Sequence, residues 1–390
     1  MIGTAASLGA EALKEPLRLK GITLRNRFAM APMTRSFCHG GVPGEDVIGY
    51  YRRRAEGGVG LIVTEAIGPD HPAAIGDTGL GEKDLPSFFG HSSVEAWRRV
   101  VDAVHAAGAK IVPQLWHQGP MRMPQSPPYP DVPAFAPSGR YGDKTKAAEY
   151  YRDKAEILDR PLPVPTDAEI VEVIESFGRA AEQASAAGFD GIALHGAHGY
   201  LIDAFLWGET NQRTDRWGGD AVARTAFASE VIKACRRAIG PDKPIFFRYS
   251  QFKQQDFKAK LARTPDELEA MLRPLVDSGA DVLEPSVRYF ATPAFPGSNM
   301  SLAGWTKKLM GLPTGIVGGI GVNQGMYQTS SDQSVAATNN LSLLVQRFAL
   351  KEFDIASVGR ALLHDPQFVS KALRGEPLDN FDPQSLNRLT

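Results

Sequence analysis

The stretch FDGIALHGAHGY, residues 189–200, carries the fold in miniature. A short, mostly apolar run, Phe189 to Leu194, breaks abruptly into His195-Gly196-Ala197-His198-Gly199-Tyr200, where every residue is polar, aromatic or small. An apolar strand covered on both faces that stops at a polar loop is how a parallel strand meets a site at its C-terminal end. The same pattern recurs along the chain. FAMAP (28–32), GLIVTEA (60–66) and KIVPQLW (110–116) precede it, and PIFFRYS (244–250), ADVLEPS (280–286), TGIVGG (314–319) and FDIASVG (353–359) follow it. Several of these runs are apolar on consecutive positions, which favours strands buried on both sides over one-sided antiparallel strands.

Helical patterns lie between many of the runs. In VEAWRRVVDAVHAAG (94–108), Val94, Trp97, Val101 and Val104 recur at helical spacing, and a glycine stands just past the end. Thr166 and Glu169 have the spacing of a capping box at the start of the helix preceding the fourth run. The stretches 223–240 and 264–279 read as further helices, and Pro274 is expected to bend or interrupt the second. Eight strand candidates separated by helical crossovers predict an α/β fold, the (β/α)8 TIM barrel, spanning residues 1–390 as one domain. A doubly wound sheet is the alternative, but no GxGxxG opens the chain where a dinucleotide fold would place it. The segment 117–165 is too long for a minimal crossover and rich in proline and aromatic residues, so a lid or subdomain is expected after strand three. A second excursion is expected over 320–350, which includes the polar TSSDQSVAATNN.

Composition agrees. A chain of 390 residues divided by about 150 suggests two or three domains, yet α/β barrels exceed that size as one. The 39 glycines and 28 prolines show no Gly-x-y period, which excludes collagen and assigns the excess to ordered loops. Charge is balanced, 43 Lys+Arg against 44 Asp+Glu, so nothing drives binding to nucleic acid or to an acidic membrane. Cys38 and Cys235 make no disulfide scaffold, and Cys38 has no adjacent base to make it a nucleophile. No run reaches the ~18 apolar residues of a membrane span, and the N-terminus lacks a basic start and apolar core. A cytoplasmic enzyme is expected; a large binding protein is the other class.

Barrel enzymes assemble their sites from several strand ends. The first run ends in Ala31, Pro32, Met33 and Thr34, and the third in Gln114, with His117 just beyond. The fourth ends in His195, His198 and Tyr200, the fifth in Arg248, and the last two in Gly318–Gly319 and Gly359–Arg360. Neutral imidazole donates from one nitrogen and accepts at the other, so a histidine pair holds a carbonyl oxygen without a fixed positive charge. Tyr200 adds a phenolic proton, although an ordinary pKa near 10 requires an assisting environment. The plainer reading is a loop-stabilising pair with a packed tyrosine; zinc, the third, lacks a nearby Cys and a clear acidic ligand, so no metal is expected. Gln114 could recognise a pyrimidine edge, but by itself it and His117 read as loop formers. Arg248 emerges from an apolar strand, where an isolated charge is costly; its fork suits an anionic ring edge or carboxylate, or a structural ion pair. The paired glycines of the last two strand ends suit a phosphate held by backbone amides, with Arg360 as a clamp, or simple turns.

LRLKGITLRNRFAMAPMTR (17–35), VPQLWHQG (112–119), HGAHGYLIDAFLWGETNQRTDRWGG (195–219), Arg248, VGG (317–319) and VGRALLHDP (358–366) together resemble the Old Yellow Enzyme family of FMN-dependent NAD(P)H oxidoreductases. The resemblance implies FMN across the barrel mouth and NADH or NADPH as reductant. It implies that Pro32 and Met33 lie beside the flavin, that Thr34 bonds near its C4 carbonyl, and that Gln114 binds its pyrimidine edge. Arg248 would sit near N1 and the C2 carbonyl, with Gly319 and Arg360 on the phosphate and Gly318 and Gly359 shaping the backbone. His195 and His198 would polarise a substrate carbonyl or nitro group, and Tyr200 would protonate the α-carbon of an electron-poor alkene. One site used twice predicts ping-pong kinetics, and a homo-oligomer is plausible from the family.

The chain also departs from the pattern. His198 stands where many members have Asn, Thr34 accompanies the His/His form where Cys is common, and Trp217 replaces the usual Tyr of R-T-D-x-Y-G-G. In 286–305, Tyr289, Phe290, Phe295 and Trp305 either line a substrate tunnel or pack the lid; packing is the plainer reading. Related flavin barrels oxidise N-methyl amines, so an amine dehydrogenase or N-demethylase is the alternative function. The longer amine dehydrogenases add iron–sulfur and nucleotide-binding regions for which two distant cysteines give no sign.

Overall fold

The computed structural model describes residues 13–88, 90–147, 151–322 and 340–390. A short antiparallel hairpin, β1 (Leu17–Leu19) and β2 (Ile22–Leu24), leads into eight parallel strands. These are β3 (Phe28–Met30), β4 (Leu61–Ile67), β5 (Lys110–Leu115), β6 (Ile192–His198), β7 (Ile245–Lys253), β8 (Val282–Ser286), β9 (Gly315–Val317) and β10 (Ile355–Val358). They pair in sequence order, and β10 pairs with both β9 and β3, so the barrel closes as the eight apolar runs predicted.

Side chains alternate across each strand with a period of two. Inside the barrel, Ala29, Leu61, Val63, Val112, Ala193, Phe246, Val282 and Ile355 form a core of their own. Leu19, Ile22 and Leu24 of the hairpin join it and plug the end where the strands begin. Outward-facing residues such as Ile111, Leu194, Phe247 and Leu283 pack in a second core with Trp97, Phe177 and Leu272 of the surrounding helices. The alternation decides what faces the mouth. Two residues on from Val112, Ala193, Phe246, Val282 and Ile355 stand Gln114, His195, Arg248, Glu284 and Ser357, all on the inner face.

The expected helices form at His91–Ala106, Asp167–Ala186, Ala226–Ile239 and Pro265–Asp277. The capping box is complete: Glu169 N donates to Thr166 Oγ1 at 3.3 Å, and Thr166 N donates to Glu169 Oε2 at 2.7 Å. Pro274 does not interrupt its helix, which runs on to Asp277. Its leucines Leu268, Leu272 and Leu275 are buried against neighbouring elements, and that burial outweighs the one bond a proline forfeits.

The segment after β5 holds the short turns Gly119–Met121 and Lys144–Lys146 and the helix Arg152–Leu158. Its Met121, Tyr141, Tyr151 and Leu158 pack with Trp116 and Tyr200 beside the end of β6. Arg122 gathers the proline-rich loop by donating to the carbonyls of Ile75 (2.9 Å), Ser126 (2.8 Å), Tyr129 (2.7 Å) and Val132 (2.7 Å). Of the second expected excursion, residues 323–339 lie outside the described residues, and the helix Leu341–Ala349 follows them. No helix among the described residues is long and apolar enough to cross a membrane.

Candidate active site

The parallel register sets His195, Arg248 and Glu284 abreast, since His195 pairs with Arg248 across β6 and β7, and Arg248 with Glu284 across β7 and β8. Gln114 stands one strand further round, opposite Ala193. Three polar atoms here are buried with no partner: Gln114 Nε2, His195 Nδ1 and Arg248 Nε. Buried polar atoms are nearly always bonded, so such a group at one strand-end layer marks a place for a ligand. A small cavity beneath them is lined by Gln114, Arg248, Glu284, Gly315 and Ser357.

The end of β6 is turned by strain. His198 has φ 66° and Gly199 φ 86°, so two consecutive residues are left-handed. The φ of 86° favours glycine at 199, where a Cβ would also have to displace the buried Gln255 side chain. Backbone bonds hold the turn: His198 N donates to Ser250 Oγ at 2.9 Å and Gly199 N to Asp203 Oδ2 at 2.8 Å. Behind it, Lys253 Nζ and Asp203 Oδ1 form an ion pair of 2.7 Å with no exposed surface. The turn brings the rings of His195 and His198 to 5.0 Å and those of His195 and Tyr200 to 5.2 Å. Trp116 packs edge-on against Tyr200 at 5.0 Å, and Gln254 Nε2 donates to the Tyr200 hydroxyl at 2.9 Å.

Burial, reinforced by the Arg248 charge, pushes His195 well below 6.5. Burial acts first on His198 too, followed by His195, Arg248 and Lys253, and the result is also well below 6.5. Both rings are therefore neutral near pH 7. His198 Nε2 lies 2.8 Å from Ser286 Oγ, and Arg248 Nη2 donates to the same oxygen over a longer 3.4 Å. Ser286 Oγ thus bridges the two side chains, accepting from Arg248 and bonding His198 Nε2 in the direction that the tautomer of that ring sets.

The other sequence-derived residues divide. Pro32, Met33 and Thr34 follow β3 in a partly exposed loop pinned on both sides, by Ala31 N donating to Val358 O (2.9 Å) and Arg35 N to Glu65 Oε2 (2.9 Å). Val317 pairs with Ser357, so Gly318–Gly319 and Gly359–Arg360 leave adjacent strands. Gly318 also has a packing reason: a Cβ there would meet Val287 O at 2.3 Å. Asn340 closes this glycine loop, donating to Gly319 O at 2.8 Å and accepting from Gly321 N at 2.9 Å. Gly359 lies against Met33, whose sulfur would be 3.6 Å from a Cβ at 359. Burial lowers the Arg360 pKa from its ordinary value.

His117 has the loop role read for it. Its Nδ1 accepts from Gly119 N (3.1 Å), and its Nε2 lies 3.1 Å from His71 Nδ1. Cys38 is fully buried, and burial and Glu65 push its thiol far up, so it is no nucleophile. Phe290 and Phe295 are buried, and Phe295 packs on Trp305 at 5.8 Å; Tyr289 is exposed. Trp217 fastens its motif to a helix start, with Nε1 donating to Asp167 Oδ1 at 2.7 Å.

Sequence reasoning passed over Glu65, Gln254, Glu284 and Ser286. The signal for Glu284 was an acid inside the apolar run ADVLEPS, the counterpart of the arginine inside PIFFRYS. Ser286 was legible as the polar end of that run. Glu65 carried the same signal as Glu284 inside GLIVTEA, while Gln254, beyond the end of PIFFRYS, gave none.

These residues fit FMN. Unpartnered donors on neighbouring strands suit the acceptor-rich pyrimidine edge of its ring. Glycines and an arginine at the seventh and eighth strand ends suit its phosphate.

Residues 12–379 match the model of the NADH:flavin oxidoreductase / NADH oxidase family. A putative 12-oxophytodienoate reductase-like protein 1 of Arabidopsis thaliana is 36% identical over 234 residues, covering 60% of this chain and 67% of that protein. A metal reductase of Desulforamulus reducens is 32% identical over 374 residues, covering 94% of this chain and 49% of that protein. The chain thus spans about half of the bacterial relative and about two-thirds of the plant one. Among solved structures, morphinone reductase superposes with a TM-score of 0.75 at 25% identity, covering 96% of this chain and 92% of that one. A morphinone reductase complex with tetrahydroNAD superposes equally, at 0.75 and 25%, covering 96% and 94%.

Proposed function

The chain belongs to the NADH:flavin oxidoreductase / NADH oxidase family, the Old Yellow Enzymes, and from that premise we propose that it reduces the C=C bond of electron-poor alkenes, α,β-unsaturated carbonyl or nitro compounds. FMN is its cofactor and a reduced nicotinamide its electron source. When bound, FMN would supply the redox chemistry that links nicotinamide oxidation to substrate reduction. The protein does the rest by position.

Gln114 and Arg248 would hold the pyrimidine edge of FMN, Pro32, Met33 and Thr34 its flank, and Gly318, Gly319, Gly359 and Arg360 its phosphate. His195, through its unpartnered Nδ1, and His198, whose Nε2 is held by Ser286, would take the substrate oxygen. Donors already aimed at that oxygen stabilise the negative charge that develops on it without reorganising. Tyr200 would give its proton to the α-carbon. The Gln254 amide donates to the phenol oxygen and so fixes where the hydroxyl points. The segment 117–165 would act as a lid, since its aromatic cluster packs on Tyr200. Nicotinamide and alkene would use the mouth in turn, giving ping-pong kinetics.

The observation that carries this reading is the set of neutral His195 and His198 and hydrogen-bonded Tyr200 on one strained strand end, beside the unpartnered Gln114 Nε2 and Arg248 Nε. Anaerobic half-reactions test it. NADH or NADPH should bleach the bound flavin, and an activated enone or nitroalkene should restore its colour quickly. Reduced flavin that persists through a broad panel of such alkenes would overturn the proposal. Bleaching by an N-methyl amine without nicotinamide would point to amine oxidation instead.

A further inference from the structure

Arg248 meets a counter-charge on the neighbouring strand. Its Nη1 lies 3.3 Å from Glu284 Oε2, and both residues are buried. The other Glu284 oxygen accepts from Ser357 Oγ on β10. Gly315 on β9 leaves room for this span, because a Cβ there would stand 3.0 Å from Glu284 Cγ. The carboxylate is therefore wedged between β8, β9 and β10, beside the arginine of the neighbouring strand.

A pair at this depth is screened weakly by solvent, so the acid's field reaches whatever the arginine faces. A guanidinium with a carboxylate behind it acts on a ligand as the positive end of a dipole, not as a full cation. Resting on the ene-reductase reading above, we propose that Glu284 is a positioning residue that sets how much positive charge Arg248 presents to FMN, and so holds the flavin at a lower reduction potential than a lone arginine would. Reduction places negative charge on the ring edge that Arg248 would face, and less positive charge there makes the reduced state a stronger donor. The same offset limits the charge felt by His195, the register neighbour of Arg248 on the other side.

The test compares wild type, Glu284→Gln and Glu284→Asp, each purified with its flavin, by anaerobic redox titration against reference dyes and by sulfite binding to the oxidised flavin. Glu284→Gln should raise the reduced-to-oxidised ratio at a fixed potential about tenfold, or about 30 mV for a two-electron couple. It should also bind sulfite more tightly, because that adduct is anionic. Glu284→Asp keeps the charge but withdraws it, so its shift should have the same sign and be smaller. A potential that is unchanged or lower in Glu284→Gln would make Glu284 a packing partner and overturn the proposal. If Glu284→Gln fails to retain flavin, Glu284→Asp decides alone: a positive shift supports the proposal and no shift overturns it. Wild-type protein that binds no FMN would sink the functional reading instead, which separates the two failures.

Discussion

Two buried ion pairs stand within a few residues of one another at the ends of β6 to β8, and they differ in completeness. Lys253 and Asp203 meet at 2.7 Å with no exposed surface. Lys253 Nζ donates further to Ser250 O at 2.8 Å, and the second Asp203 oxygen accepts from Gly199 N at 2.8 Å. Burial raises the Asp203 carboxyl and lowers the Lys253 ammonium, and the attraction between them opposes both shifts. Arg248 and Glu284 are looser at 3.3 Å, with Arg248 Nε buried and unpartnered. Completeness separates architecture from site: a pair with its neighbours filled holds a turn in place, while a pair with open valence waits for something to bind.

The comparison breaks most visibly at the complete pair. Asp203→Ala strands a buried ammonium and should cost about 3–5 kcal/mol, read as a large drop in the denaturation midpoint. At the open pair, replacing both members, Arg248→Met with Glu284→Leu, should leave stability within about 1–2 kcal/mol of wild type. That protein should emerge without FMN, seen as absent visible flavin absorbance. If it keeps its flavin, the open pair is architecture after all.

Tyr200→Phe tests the turn that the complete pair supports. Reoxidation by alkene should slow by roughly 10²–10⁴, while reduction by nicotinamide stays near wild type. Equal slowing of both half-reactions in stopped flow would mean a disturbed turn and not a missing proton.

Glu65 is the mildest case, a buried acid bonded by the Arg35 N–H at 2.9 Å and approached by the Cys38 thiol at 3.9 Å. Burial pushes its carboxyl up to about 7 from the ordinary 4.5. Since the folded value is the higher, its stabilising contribution is complete below about 4.5 and is lost as pH rises through about 7. Between pH 5 and 8, wild-type Tm should therefore fall relative to Glu65→Gln by roughly a few degrees in thermal melts. A constant difference across that range would remove Glu65 from the pH response.

Much of this was legible in residues alone. All eight strands lie where the apolar runs stand, because a strand buried on both faces must be apolar along its length. The capping box at Thr166 was legible because its two members are neighbours in sequence. His195, His198 and Tyr200 stood out because one strand end carries all three. The interruption that Pro274 suggested does not occur, since its local cost is outweighed by burial that no local rule contains. Gly318 suggested a phosphate, yet the structure adds the backbone of residue 287 as a reason for glycine there.

The chain by itself determined the barrel and the inward set Gln114, His195, Arg248, Glu284 and Ser357, because apolar runs and two-residue alternation are properties of one strand. Only the tertiary structure decided who meets whom: Glu284 beside Arg248, Ser286 on His198, Gln254 on Tyr200, Lys253 on Asp203. The reason is register. A strand's sequence says which face a side chain takes, while its height against the neighbouring strand is set by the closure of the whole barrel, to which all eight strands contribute.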